Sequence, residues 1–124
     1  MAATGDLRIG VRGDFKLGLN EVTNNMPVPI LAHELARDRL TAKELTPAVA
    51  HAKIYDPEAA AEAGWLDTVV EGEKLAATVR EEAARLGALP GFAYAISKKS
   101  LRRQTIEYVR NTMDSNLAEM TGKL

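Results

Sequence analysis

The chain has 124 residues, 46% of them hydrophobic and 27% charged, which suits one domain or part of one and excludes wholesale disorder. A formal net charge of -1 argues against a nucleic-acid partner, because phosphate neutralisation needs a clear basic excess. With no cysteine, disulfides, thiolate nucleophiles and Cys-ligated metals are excluded, and a reducing, cytoplasmic setting is expected.

Leu7, Ile9 and Val11 alternate with Arg8 and Gly10, which predicts a short strand. Arg12, Gly13 and Asp14 form a turn signal. Phe15 and Leu17 alternate again and predict a second short strand before Gly18. Residues 18–26 are polar and irregular, hence a loop. Pro27 and Pro29 suit the first turn of a helix, and Leu31, Ala32, Leu35, Ala36 and Leu40 recur at helical spacing. Thr41 and Glu44 have the spacing of a capping box, with Leu40 and Leu45 placed as a hydrophobic staple. Pro47 limits or bends that helix.

Asp56 followed by Pro57 predicts another helix start, and Gly64 a left-handed stop. Residues 65–70 read as extended. Leu75, Val79, Ala83 and Leu86 share one helix face, closed by Gly87 and Pro90. Ile96, Leu101, Ile106, Val109, Met113, Leu117 and Met120 predict a long amphipathic helix, intact or broken. No apolar run reaches the length of a membrane span, and the first six residues lack the plan of a secretory signal, so no membrane partner is expected. Pro90 and Gly91 mark the best hinge, dividing residues 1–90 from residues 91–124. Two short strands cannot make a stable sheet alone, so pairing partners are expected upstream of Met1.

Two segments carry a resemblance. Asp6, Leu7, Arg8, Ile9, Gly10 and Val11, then Phe15 to Val22 with Gly18, Asn20 and Glu21, are similar to the middle of crotonase (enoyl-CoA hydratase/isomerase) family proteins. There a strand reading Asp-x-Arg-Ile leads to a Phe/Gly turn and a Pro-Glu or Asn-Glu pair. Leu40 and Thr41, then Asp56 to Val70 with Gly64 and Asp67, resemble the family's Ala-x-x-x-Gly-Leu-Val-Asp-x-Val-Val segment. The likeness runs from about Asp6 to at least Leu101. It implies an α/β fold, mostly helical here: the carboxy-terminal half of the crotonase spiral, with one or two short strands followed by helices. Residues 1–90 would then belong to the core and residues 91–124 to an oligomerising helical segment.

The resemblance implies a coenzyme A thioester as substrate, no further cofactor, and trimers or hexamers. It aligns Glu21 with a family glutamate that moves a proton at the carbon beside the thioester carbonyl; a solvated loop carboxylate is the other reading of that residue. Gly18 would lie on the substrate side of the turn. The oxyanion hole, usually a large electrostatic term in such chemistry, and a second glutamate would lie upstream of Met1. Where typical hydratases carry a glycine-rich stretch, this chain has Asn24, Asn25, Met26, Pro27, Val28 and Pro29, which argues against hydration of simple enoyl-CoAs.

Lys98, Lys99, Arg102, Arg103 and Arg110 make the last helix locally basic. They read either as a solvated face or as contacts to CoA phosphates, with Lys98 and Lys99 the positions for the latter. Arg37, Asp38 and Arg39 read as a solvated face. His33 and His51 lack metal spacing, and the pattern after Glu34 is not that of a zinc protease, so no metal is expected. A second reading of the whole chain, from a different class, is a non-catalytic helical module. Its stripe of Leu101, Ile106, Val109, Met113 and Leu117 would bury against copies of itself or a full-length homologue.

Overall fold

The computed structural model describes residues 2–122. The first strand, β1 (Ile9–Val11), falls where Leu7 to Val11 alternate. Its partner is β4 (Thr68–Val70), in parallel, with Ile9 opposite Thr68 and Val11 opposite Val70. The second strand, β2 (Leu17–Gly18), runs antiparallel to β3 (Ile54–Tyr55). The expectation that strand partners lie only upstream is therefore corrected, since both early strands pair with later segments of this same chain. The described residues hold four very short strands rather than one or two, and the later two are interleaved with helices.

Five helices carry most of the mass. They are α1 (Ile30–Arg39), α2 (Ala42–Val49), α3 (Pro57–Ala63), α4 (Leu75–Gly87) and α5 (Gly91–Met120). The local signals around α3 work as expected. The Asp56 carboxylate accepts from the Ala59 amide at 2.8 Å, Pro57 takes the first turn, and Gly64 ends the helix at φ 103°. The Gly64 and Trp65 amides close back onto the Ala60 carbonyl, which satisfies carbonyls that a helix end leaves open.

The expected capping box at α2 does not form, because Thr41 makes no side-chain cap. Glu44 is drawn away instead, accepting from Tyr55 Oη at 2.9 Å and Lys53 Nζ at 2.7 Å. Those bonds tie α2 to β3. Pro47 sits inside α2, and the helix stops two residues later at Val49. The last helix is continuous from Gly91 to Met120 rather than broken.

The core is built from small residues. Ala48, Tyr55, Ala60, Ala63 and Leu66 form its buried centre, ringed by Leu17, Leu40, Trp65 and Val69. Alanines let α2, α3 and the strands approach closely. Arg8, only 7% exposed, locks β1 to the turn before β4. Its Nε and Nη2 grip Asp67 at 2.9 and 2.8 Å, while Nη1 donates to the Gly64 carbonyl at 2.7 Å. Such a bidentate, charge-assisted pair fixes geometry as well as adding energy. Burial alone would push the Asp67 carboxyl up, but the side-chain and backbone hydrogen bonds from Arg8 outweigh it and hold it below its ordinary range.

The long helix α5 leans on α1 around buried Val109. Asn116 Oδ1 accepts from the Ile30 amide at 3.0 Å, so α5 caps a helix whose own Pro29 offers no capping side chain. Asp38 accepts from Arg102 at 2.9 Å and Thr105 at 2.8 Å. Arg39 donates to the Ala3 and Gly5 carbonyls at 3.0 and 2.7 Å. The reading of Arg37, Asp38 and Arg39 as one solvated face holds for Arg37 and Asp38, which are exposed, and is corrected at Arg39, which is half-buried against residues 3–5.

Candidate functional site

The turn that carries the candidate residues is fixed at both ends. Gly18 closes β2 against β3 so tightly that a Cβ there would meet Ile54 Cδ1 at 2.7 Å and the Lys53 carbonyl at 2.9 Å. Strand packing therefore requires glycine at this position. Beyond it, a short 3-10 turn (Val22–Asn24) follows Glu21, and Asn25 ends it in the left-handed region at φ 55°. The Glu21 carbonyl accepts from the Asn24 and Met26 amides at 2.9 and 3.0 Å. The backbone of this loop is thereby set, although its residues are polar and irregular.

Glu21 is placed unusually. Its Oε2 is fully enclosed and has no hydrogen-bond partner among the described residues. Buried polar atoms are nearly always paired, and an unpaired carboxylate oxygen is costly. The same condition applies to Trp65 Nε1. Trp65 and Gly18 both line an apolar cavity of about 290 Å³, walled also by Leu17, Leu19, Ala32 and Leu35. Glu21 is not in the wall of this cavity; it lies three residues along the chain from Gly18.

Lys98 lies elsewhere. It lines a separate groove of about 400 Å³ between α1 and α5, with Arg39, Arg102 and Arg110. Leu35 of α1 borders both cavities, so α1 stands between Gly18 and Lys98. Lys98 Nζ is engaged by Asp6 at 2.6 Å, and Tyr94 Oη donates to the same Asp6 oxygen at 2.6 Å. The hydrogen bond from Lys98, with that from Tyr94, holds the Asp6 carboxyl below its usual range, and Asp6 in turn pushes the Tyr94 phenol up. Lys99 is exposed on the same helix. The fold thus brings Gly18 and Glu21 onto one turn and leaves Lys98 in a separate groove that shares only Leu35 with the cavity beside Gly18.

Three contributors were missed by reading the sequence. Asp6 and Tyr94 set the position of Lys98 from 92 and 4 residues away, and only the first tie is invisible to local pattern. Trp65 was open to detection, because it stands where the family's Gly-Leu-Val-Asp pattern has leucine. Among the described residues no group of three or more His, Asp or Glu side chains could hold a metal ion, and no helix is long and apolar enough to cross a membrane.

Solved structures show what this arrangement is similar to. An enoyl-CoA hydratase/isomerase family protein from Pseudomonas syringae superposes with a TM-score of 0.91 at 34% identity, over 96% of this chain and 52% of that one. The enoyl-CoA hydratase EchA3 from Mycobacterium ulcerans Agy99 gives 0.87 at 27% identity, over 95% and 51%. The human mitochondrial delta3-delta2-enoyl-CoA isomerase gives 0.89 at 21% identity, over 97% and 47%, a likeness of fold alone. No protein-family model and no curated protein sequence matches the chain. The class is therefore the crotonase fold, of which this chain holds the carboxy-terminal portion. The family is that of the enoyl-CoA hydratases and isomerases, to which the chain corresponds over nearly its whole length. It spans about half the length of the solved relatives it matches.

Proposed function

We propose that this chain supplies the carboxy-terminal part of an acyl-CoA hydratase or isomerase site, with Glu21 as its acid/base. The observation that carries the reading is the enclosed, unpartnered Glu21 Oε2 on the turn that begins at the apolar cavity. That oxygen accepts from no protein donor, so its lone pairs are free for the proton on carbon that thioester enolate chemistry moves, once the side chains enclosing it part to admit the substrate. Gly18 and its neighbours offer an apolar wall to an acyl chain. Lys99, and Lys98 if it leaves Asp6, offer cations to the CoA phosphates. A thioester carbonyl also needs donors for its developing charge, and the chain's proposed share of the site is the proton-transfer side. The proposed assembly is a trimer or a pair of trimers.

Calorimetric titration of the purified chain with a short enoyl-CoA tests this. Micromolar binding that weakens at least fivefold in the Lys98→Ala/Lys99→Ala double variant supports the reading. Absence of heat at millimolar ligand, or equal binding by the double variant, contradicts it.

One observation favours a second, non-catalytic reading. On α5, Phe92, Leu101 and Leu117 are 84%, 73% and 59% exposed, more apolar surface than a solitary helix face usually shows. A helical module built for assembly would self-associate in light scattering and bind no thioester.

A further inference from the structure

The helices α1 and α5 cross in opposite directions. The Ile30 amide at the start of α1 meets Asn116 near the end of α5, while Asp38 at the other end of α1 meets Arg102. The groove of about 400 Å³ between them therefore has two unlike ends. Asp6, Asp38, Arg39, Lys98 and Arg102 line one, and Leu31, Leu35, Ile106, Val109 and Met113 line the other. Ile106, Val109 and Met113 follow the three- and four-residue spacing that puts side chains on one helix face, as do Leu31 and Leu35.

The charge in this groove does not balance. Lys98 holds Asp6 at 2.6 Å and Arg102 holds Asp38 at 2.9 Å, and nearby Arg8 is closed on Asp67 at 2.8 Å. Arg39 is left over. Its Nε and Nη2 donate to the Ala3 and Gly5 carbonyls, and it forms no ion pair among the described residues. Burial pushes the Arg39 guanidinium down from its ordinary value, and the Arg102 and Arg8 cations push it the same way, outweighing Asp67 and Asp38. Arg110, also in the groove wall, has no partner among the described residues either. A desolvated cation crowded by other cations is stabilised by an anion beside it. The volume selects the shape of that anion. One helical turn, about 10 Å across and 5.4 Å tall, would fill roughly 400 Å³ by itself, so an amphipathic helix of several turns finds no room, whereas one extended chain does. The eight residues from Leu31 to Arg39 give that chain a track of about 12 Å.

We propose that this groove binds a free alkyl carboxylate of medium chain length, its carboxylate on Arg39 and its chain laid over Leu35, Ile106 and Val109 toward Leu31 and Met113. The arginine fork matches a carboxylate, and the apolar run offers the chain a surface away from water. Leu31, Ile106 and Met113 are exposed without such a cover. The groove shares only Leu35 with the cavity beside Gly18. The inference rests on the groove's charge and polarity, not on the proposed chemistry, and its test contains no thioester, so either can fail alone.

The experiment titrates the 124-residue chain with decanoate, with decanol as the uncharged tail and with inorganic phosphate as a head without a tail. Binding is read by calorimetry and by the carbon-13 methyl resonances of the methionines. Decanoate should bind about tenfold more tightly than decanol, the worth of one hydrogen bond to a charged group. It should shift the Met113 methyl and leave Met26, which lies outside the groove, unmoved. Ile106→Asp puts a like charge into the apolar run at an exposed position, so it should keep the helical content of the chain and weaken decanoate about tenfold. Arg39→Gln should abolish the preference for decanoate over decanol. Should that variant lose helical content, Ile106→Asp and the decanol comparison decide by themselves. Equal binding of decanoate and decanol overturns the proposal, as does unchanged binding by Ile106→Asp or a shift at Met26 in place of Met113. So does an affinity for phosphate equal to that for decanoate, which would make this a plain anion site, or no heat from millimolar decanoate.

Discussion

Replacing Gly64 with alanine should destabilise the chain by about 3–4 kcal/mol. Two terms contribute. The backbone at Gly64 has φ 103°, a left-handed setting that costs an L-residue about 1–2 kcal/mol. A Cβ would also collide with the Arg39 carbonyl oxygen, with the Arg39 carbonyl carbon at 3.1 Å and Leu40 Cα at 3.2 Å. Those are backbone atoms at the junction of α1 and α2, so they cannot rotate aside. Relief requires separating that junction from α3, which loosens packing around buried Ala60 and Ala63 and costs about 2 kcal/mol more. Urea unfolding monitored by far-ultraviolet circular dichroism measures the change from the midpoint and slope. Gly87→Ala is the matched control, because nothing lies within 4 Å of its added Cβ and alanine favours the helix by about 0.5–1 kcal/mol. A Gly64→Ala loss below about 1 kcal/mol, or two variants that shift the midpoint the same way, would refute the reasoning.

Further outcomes are expected from the same structure. Arg8→Met should cost about 3 kcal/mol in the same assay, because two bonds to a charged group and one to Gly64 are lost. The Asp67 side chain, 34% exposed, can partly rehydrate, which keeps the cost near the lower end for a broken ion pair. The Asp67 carboxyl is depressed in the fold, so its contribution is present above its ordinary 3.8 and is lost as pH falls through the lower folded value. Acid unfolding of Arg8→Met should accordingly be flatter than that of the parent below pH 3.8. Burial, with help from Glu44, pushes the Tyr55 phenol up to about 12. Its contribution to stability is complete below the ordinary value of 10.0 and is lost as pH rises toward 12. Phenolate absorbance should show a late step that disappears in Tyr55→Phe, and a single step complete by pH 11 would contradict the Tyr55–Glu44 geometry. The purified chain alone should give no measurable hydration of a short enoyl-CoA. Turnover that is lost in Glu21→Gln would overturn that expectation.

What could be read from the sequence was local. Asp56, Pro57 and Gly64 define α3 within nine residues, and each signal acts on its own neighbours, so the helix was legible to its ends. Thr41 and Glu44 carried an equally good local pattern, yet Tyr55 and Lys53 offer Glu44 stronger partners than its own helix end does. The competing interaction comes from β3, a two-residue strand too short to leave a period. Distance in the chain explains the remaining misreadings. Arg39 looks solvated until residues 3–5 close over it, and Asp38, although exposed, is held by Arg102 and Thr105 of α5. The family resemblance located the Gly18–Glu21 turn, but residue types cannot show that one Glu21 oxygen is sealed from every donor, or that α1 separates this turn from Lys98. The fold class therefore followed from the family resemblance, while the site's burial and partitioning required the tertiary structure.

The account's central claim, that the turn from Gly18 to Glu21 forms the acyl side of a thioester site, is tested most directly by photoaffinity labelling. An acyl-CoA bearing a photoreactive group on its acyl chain would be irradiated with the purified chain and the adducts mapped by mass spectrometry. The account predicts labelling at residues 17–21 or Trp65, suppressed by excess unmodified acyl-CoA. Labelling confined to other elements, or labelling that excess acyl-CoA does not suppress, would contradict it.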